Sequence, residues 1–191
     1  MKDKILKIGS RNTDAPSLIR IGEGSYVLAR TALNILMGMF TFLPTSFFLM
    51  HHSIEVFIKA FLVVEKIKYP YGKEGHELVN LLKIGIEKSK KLSFFNKEIL
   101  NRKDFKDLLD ILDQSYNKNR YSFLGYYIKL DSVLDLFDEL IYILIERIYK
   151  LLNTYQRVTK QLIQIDVPKL LLPFMEYKQK QKFIFCVIPL K

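Results

Sequence analysis

The chain is predicted to be all-α, an up-and-down antiparallel bundle of about five helices with irregular extensions at both ends. Apolar residues recur at helical spacing through most of its length. Only eight glycines and six prolines occur in 191 residues, too few for a loop-rich or all-β design. One periodic segment, Pro44 to Lys66, is apolar over most of its circumference, so other helices have to surround it. With 49% hydrophobic and 26% charged residues the chain can fill one core, and disorder is expected only at its ends. The expected layout is an N-terminal arm over 1–24, the bundle over 25–153 and a C-terminal extension over 154–191.

In the arm, ILKIG and SLIRIG flank the polar RNTDAPS, as in a flexible segment or a short hairpin. Helix one is expected after Ser25, a good N-cap, with Leu28, Ala29, Ala32, Leu33, Leu36 and Met39 inward. Helix two follows from Pro44, a residue suited to a first turn, and stops near Ile67 before the turn chemistry of Tyr69-Pro70-Tyr71-Gly72. Helix three starts around His76, where the imidazole is expected to cap a free backbone N–H, and runs into Glu87-Lys88-Ser89-Lys90-Lys91. The connection LSFFNKEILNRK reads as a short helix packed by Phe94, Phe95 and Leu100. Asp104 starts helix four, with Phe105, Leu108, Leu109, Leu112 and Tyr116 in a stripe. Asp131 starts helix five, which runs to about Asn153. Beyond it, Val167-Pro168 and Leu172-Pro173 interrupt any helix, and Phe183 to Ile188 is an apolar run open to three readings: a strand, a dimer contact or a buried strap.

The single cysteine, Cys186, excludes an internal disulfide framework and a cysteine-based zinc site, and fits a reducing cytoplasm. The charged opening MKDKILKIGSRNTD is unlike a signal peptide. Thr31 to Met50 is twenty residues without a charge, about the length of a membrane span. Asn34, Thr41, Thr45, Ser46 and Pro44 favour two buried helices meeting at a turn instead, so no membrane association is expected. The formal net charge of +10 is uneven. Residues 66–106 carry eleven Lys or Arg against five acids, whereas 107–147 carry four against eight. A basic surface of this kind attracts phosphates, of RNA or of nucleotides, and equally serves as a solubilising face.

The polar seam of helix two is the place to look for function. At 100° per residue, His51, His52, Glu55 and Lys59 fall in one stripe opposite Ile54, Phe57, Ile58 and Phe61. Two readings stand side by side. In one, Lys59 holds a phosphate, Glu55 orients it or a histidine, and His52 adds a hydrogen bond. In the other, Glu55 and Lys59, at i and i+4 in the favourable order, pair with each other or with Arg120 to satisfy a partly buried seam. A carboxylate-bridged metal site is not expected, because the Glu-x-x-His spacing is reversed and a second set is missing. No P-loop, dinucleotide-binding glycine pattern or Ser-His-Asp arrangement is visible, and no cofactor is expected.

HHSIEVFIKAFL, then GHELVNLL, then SYNKNRY before a long last helix, together resemble the HEPN family, the higher eukaryote and prokaryote nucleotide-binding domains. The matching positions are His52, Glu55, Lys59 and Ala60, then His76 and Leu78, then Arg120 and Tyr121. The resemblance covers roughly 25–153. It implies an antiparallel bundle, often a homodimer, bound up with nucleotides or RNA, and in many cases with a minimal nucleotidyltransferase partner in toxin–antitoxin or defence-type pairs. Other members are ribonucleases that depend on an Arg followed four to six residues later by His. That motif is absent: none of the three histidines, His51, His52 and His76, has an arginine at that distance before it, and Arg120 is followed instead by Tyr126 and Tyr127. A tyrosine with a pKa near 10 is a poor base for a 2′-hydroxyl. The leading expectation is therefore a non-catalytic cytoplasmic module that binds a nucleotide or RNA, or regulates a nucleotidyltransferase, through His52, Glu55, Lys59, His76, Arg120 and Tyr121. The alternatives are a divergent metal-independent ribonuclease using His51, His52 and Arg120, and a purely structural dimerisation bundle.

Overall fold

The computed structural model describes residues 14–35, 43–118 and 130–152. Its five long helices are α1 (Ala15–Ile35), α2 (Leu43–Val64), α3 (Leu78–Lys88), α4 (Lys103–Lys118) and α5 (Leu130–Leu151). A short 3₁₀ turn, Lys73–His76, precedes α3. A second, Lys90–Leu92, and a π-helical segment, Phe95–Leu100, join α3 to α4. No strand occurs among the described residues, so the all-α bundle stands.

The first helix corrects the expected boundary. It begins ten residues before Ser25, at Ala15, where the Asp14 carboxylate accepts from the Ser17 N–H at 2.8 Å and Pro16 occupies the first turn. SLIRIG is thus helical rather than part of an arm or hairpin, and Ser25 is buried within the helix. The sequence was misleading here because Gly22 and Gly24 look like a turn. Gly22 instead marks close packing: a Cβ there would lie 2.9 Å from the Phe57 ring, and the Ser53 hydroxyl donates to the Gly22 carbonyl at 2.8 Å.

α2 is the hub, packed by α1, α3, α4 and α5. Its Phe47, Met50, Phe57, Ile58 and Phe61 are fully buried. The stretch Thr45–Val64 is long and apolar enough to cross a membrane, but about 67% of it is buried against the rest of the chain, as in a core helix. α2 ends in a left-handed cap without glycine. Lys66 takes φ 58°, its N–H reaches the Val63 carbonyl at 3.0 Å, and the Ile67 N–H reaches Leu62 at 2.8 Å.

The connecting segment is more tightly wedged than an ordinary loop. Phe94 and Phe95 pack on Phe61 at centroid distances of 5.3 and 5.2 Å, and a Cβ on Gly85 would meet the Phe95 ring at 2.9 Å. The Asn101 N–H bonds to the Asn96 carbonyl at 2.9 Å, the wide turn that lets both Phe95 and Ile99 face inward. Arg147 of α5 pairs with Glu98, and Arg102 links Asp104 at 2.5 Å with Glu139 of α5. α5 begins at Leu130, one residue before the expected cap Asp131, and ends at Leu151.

Candidate functional site

The α2 seam becomes a hydrogen-bonded network centred on Glu55, which is only 3% exposed. A buried carboxylate is costly unless charged or polar donors surround it. Glu55 has them: the Lys59 ammonium at 2.5 Å and the His76 Nδ1 at 3.0 and 3.1 Å from its two oxygens. Burial alone would push this carboxyl up. The hydrogen bond and charge of Lys59, the hydrogen bond from His76 and the proximity of His51 together outweigh burial and hold it below its ordinary value. Glu55 is therefore an anion whose role is to fix a cation and an imidazole.

His51 is fully buried beneath this carboxylate. Its Nε2–H donates to Asp113 at 3.0 Å, and its Nδ1 stands 3.6 Å from Glu55, too far for a hydrogen bond. The Tyr116 ring lies flat on His51 at 4.3 Å and 14°, and also stacks on His76 at 5.2 Å and on Phe48 at 5.7 Å. His52, the other half of the pair, turns away from the network and stacks on Phe48 at 6.1 Å and 6°. Burial depresses its pKa. Glu55 opposes that shift, while the charges of His51, Lys59 and His76 add to it.

Capping of α3 also differs from expectation. The Leu78 N–H is taken by both oxygens of Asp113, at 3.0 and 3.1 Å, so the cap comes from α4 across the fold. His76 is thereby left to Glu55. One carboxylate, Asp113, fixes the start of α3 and the ring of His51 together.

His76 and Lys59 open on a cavity of about 770 Å³ between the end of α2 and the 3₁₀ turn. Lys66, Lys68, Tyr69 and Tyr71 line it with them, over a floor that includes Val63 and Ile67. The turn is shaped by two glycines. Gly72 has φ 68°, and a Cβ on Gly75 would sit 2.2 Å from the Pro70 carbonyl oxygen. Lys59 also stands 5.2 Å above the Tyr69 ring, whose phenol is pushed up by burial and by the neighbouring Tyr71 and Glu55. Tyr71 is 74% exposed at the rim. Because Glu55 already neutralises Lys59, the surplus positive charge of the cavity comes from Lys66 and Lys68.

Of the residues expected from sequence, Glu55, Lys59 and His76 are brought together, His51 lies beneath them and His52 is peripheral. Arg120 and Tyr121, with Tyr126 and Tyr127, lie outside the described residues. Sequence reading missed Asp113 and Tyr116 as members of the network, and Lys66, Lys68, Tyr69 and Tyr71 as cavity walls. The last four sat in plain view as basic and aromatic residues around a Pro-Gly turn, an interleaving that also suits a phosphate and base site. Asp113 had no sequence signal, since its partners lie 35 and 62 residues away. Among the described residues no group of three His, Cys, Asp or Glu side chains could hold a metal ion.

The family model of the HEPN domain matches residues 18–160. That match ties the chain to nucleotide- or RNA-related function in general terms. No curated protein and no solved structure matches it.

Proposed function

Starting from the premise that this chain belongs to the HEPN domain family, we propose that it is a non-catalytic module whose cavity beside His76 takes a nucleotide or a stretch of single-stranded RNA. The observation that carries this reading is the lining of the cavity. Lys66 and Lys68 supply charge for a phosphate, the exposed Tyr71 supplies a face on which a base can stack, and Glu55 holds Lys59 as a directed donor and fixes the His76 ring. In a cellular setting such a module would bind its ligand outright or regulate a minimal nucleotidyltransferase partner in a toxin–antitoxin or defence-type pair.

Fluorescence anisotropy with a labelled single-stranded oligonucleotide tests the binding. Tyr71→Ala is expected to weaken binding roughly 5- to 150-fold, the equivalent of about 1–3 kcal/mol for one stacked base. Lys68→Ala is expected to weaken it and to lower the salt slope by about 0.7, one phosphate contact on a single strand. Binding that both variants leave unchanged would remove the cavity from consideration.

One observation favours a second reading, a metal-independent ribonuclease. Glu55 engages Nδ1 of His76 and leaves Nε2 as the ring nitrogen available on the cavity side, the arrangement of a base oriented by a carboxylate. His51, named for this task from sequence, is unsuited to it, being fully buried with Nε2 spent on Asp113. RNA incubated with the protein in EDTA separates the two readings. Intact RNA is expected. Cleavage that disappears in His76→Ala would establish the enzyme instead.

A further inference from the structure

Among the described residues two positions take a positive φ, Lys66 at 58° and Gly72 at 68°, and both line the cavity beside His76. At Gly72 the conformation costs little, because glycine has no Cβ to crowd the following carbonyl oxygen. At Lys66 the same backbone carries a full side chain. The conformation there closes α2: the Ile67 N–H reaches the Leu62 carbonyl at 2.8 Å and the Lys66 N–H the Val63 carbonyl at 3.0 Å, the two bonds of a left-handed helix cap. Glycine is the residue that such a cap favours, and asparagine the usual substitute. Lysine has neither the missing Cβ nor a short polar group to bond its own backbone, so this cap forms at a cost in stability.

We propose that Lys66 is the phosphate anchor of the cavity, a lysine held at a glycine position because its charge serves the ligand rather than the fold. The proposal rests on the nucleotide- or RNA-binding reading above and assigns the anchoring role within it. Position supports it. Lys59 and Val63 line the cavity from α2, while Lys68, Tyr69 and Tyr71 line it from the segment that follows, and Lys66 is the residue at which the chain turns from one wall to the other. Charge supports it too. Lys59 is neutralised by Glu55, and Glu65, the acid beside Lys66 in sequence, is committed elsewhere: it accepts from the Ser89 hydroxyl at 2.8 Å and from the Lys91 ammonium at 3.2 Å. No carboxylate among the described residues pairs with Lys66, which is exposed, so its ammonium is available to an anion. The competing account is that Lys66 merely offsets the negative end of the α2 dipole. The two accounts predict opposite effects on stability when the charge is removed.

Lys66→Gly and Lys66→Asn remove the charge while suiting the left-handed backbone, and Lys66→Arg keeps the charge. In urea unfolding of the full-length protein, Lys66→Gly is expected to have a higher midpoint than wild type. In fluorescence anisotropy with a labelled single-stranded oligonucleotide, the same variant is expected to bind several-fold more weakly, with a salt slope lower by about 0.7. Lys66→Asn should lose affinity likewise, and Lys66→Arg should stay within about twofold of wild type. A protein made more stable and a poorer binder by one substitution is the result that a residue serving only the helix end does not give. A midpoint at or below that of wild type in Lys66→Gly, or an affinity left within about twofold, overturns the proposal. Lys68→Ala separates that failure from a failure of the wider reading. If Lys68→Ala weakens binding and Lys66→Gly does not, the cavity remains the site and Lys66 is not its anchor. If the wild-type protein binds no oligonucleotide, the reading of the cavity falls and the anchor with it.

Discussion

Two buried polar layers cross this bundle, and they differ in what they face. Between α1 and α5, Arg30, Tyr26, Asp138, Glu23 and Tyr149 bind one another over a span of two helical turns of α1. Between α2, α3 and α4, Glu55, Lys59, His51, His76 and Asp113 do the same. Both are charged groups removed from water that survive by mutual pairing. The second opens on a cavity of which Lys59 and His76 are wall residues, while Arg30 of the first is 2% exposed. Polar residues in a helical core therefore do not by themselves mark a site; an open end does.

The largest effect that separates the layers is expected from Asp138→Ala. It leaves the buried Arg30 guanidinium without its carboxylate and removes the acceptor of Tyr26, at a cost of about 3–5 kcal/mol. Urea unfolding should show that loss, while oligonucleotide affinity of the folded protein should stay within about twofold. A parallel loss of affinity would mean that the two layers are one coupled unit.

The layers are also expected to respond to pH with opposite sign. Burial pushes the Glu23 carboxyl up to about 7, against smaller opposing effects from the Tyr149 hydroxyl and Arg20. Its folded pKa exceeds its unfolded one, so its contribution is fully present below about pH 4.5 and is lost as pH rises through about 7. Glu55 is held below its ordinary value of 4.5, so its contribution is present above that pH and lost as the solution becomes more acid. Glu23→Gln should therefore be more stable than wild type at pH 8, by up to roughly 3 kcal/mol, and about equal at pH 4. Denaturant midpoints at the two pH values measure this directly. A constant difference between them would show that Glu23 does not titrate in this window.

The second layer was partly legible in the chain before its structure, whereas the first was not, and the missing parts have physical causes. Periodicity exposed α2, α4 and α5 because apolar stripes are a property of local sequence. The i to i+4 spacing of His51, Glu55 and Lys59 put half of the network on one helix face. The start of α1 was hidden because the same glycines that signal turns also permit the close approach of the Phe57 ring to Gly22. His76 was assigned to capping because a histidine beside a glycine at a helix start has that local option. A carboxylate on α4 took the cap instead, a tertiary choice that no local pattern records. The cavity lay in a segment recognised only as a turn, since turn chemistry says where the chain reverses and not what its side chains enclose.

That tertiary choice is itself open to test, with the smallest of the expected effects. Asp113 has two duties, accepting from the Leu78 N–H and from His51 Nε2. Asn can keep its oxygen at the Oδ1 position, which accepts from both donors, but it sets an amide NH2 against the Leu78 N–H in place of Oδ2 and carries no charge. Asp113→Asn should cost about 1 kcal/mol, comparable to the loss of a helix cap, and Asp113→Ala somewhat more, because it removes both acceptors. The informative quantity is how each change reaches the cavity. If Asp113 matters only as a cap, both variants destabilise the protein with little change in oligonucleotide affinity. If it matters through His51 and the Tyr116 stack, His76 loses its fixed position over Glu55, and affinity falls several-fold in Asp113→Ala even where the protein is fully folded. The Glu55 network predicts the second outcome, since Asp113 at its inner end is the support that the His51 ring and the start of α3 share.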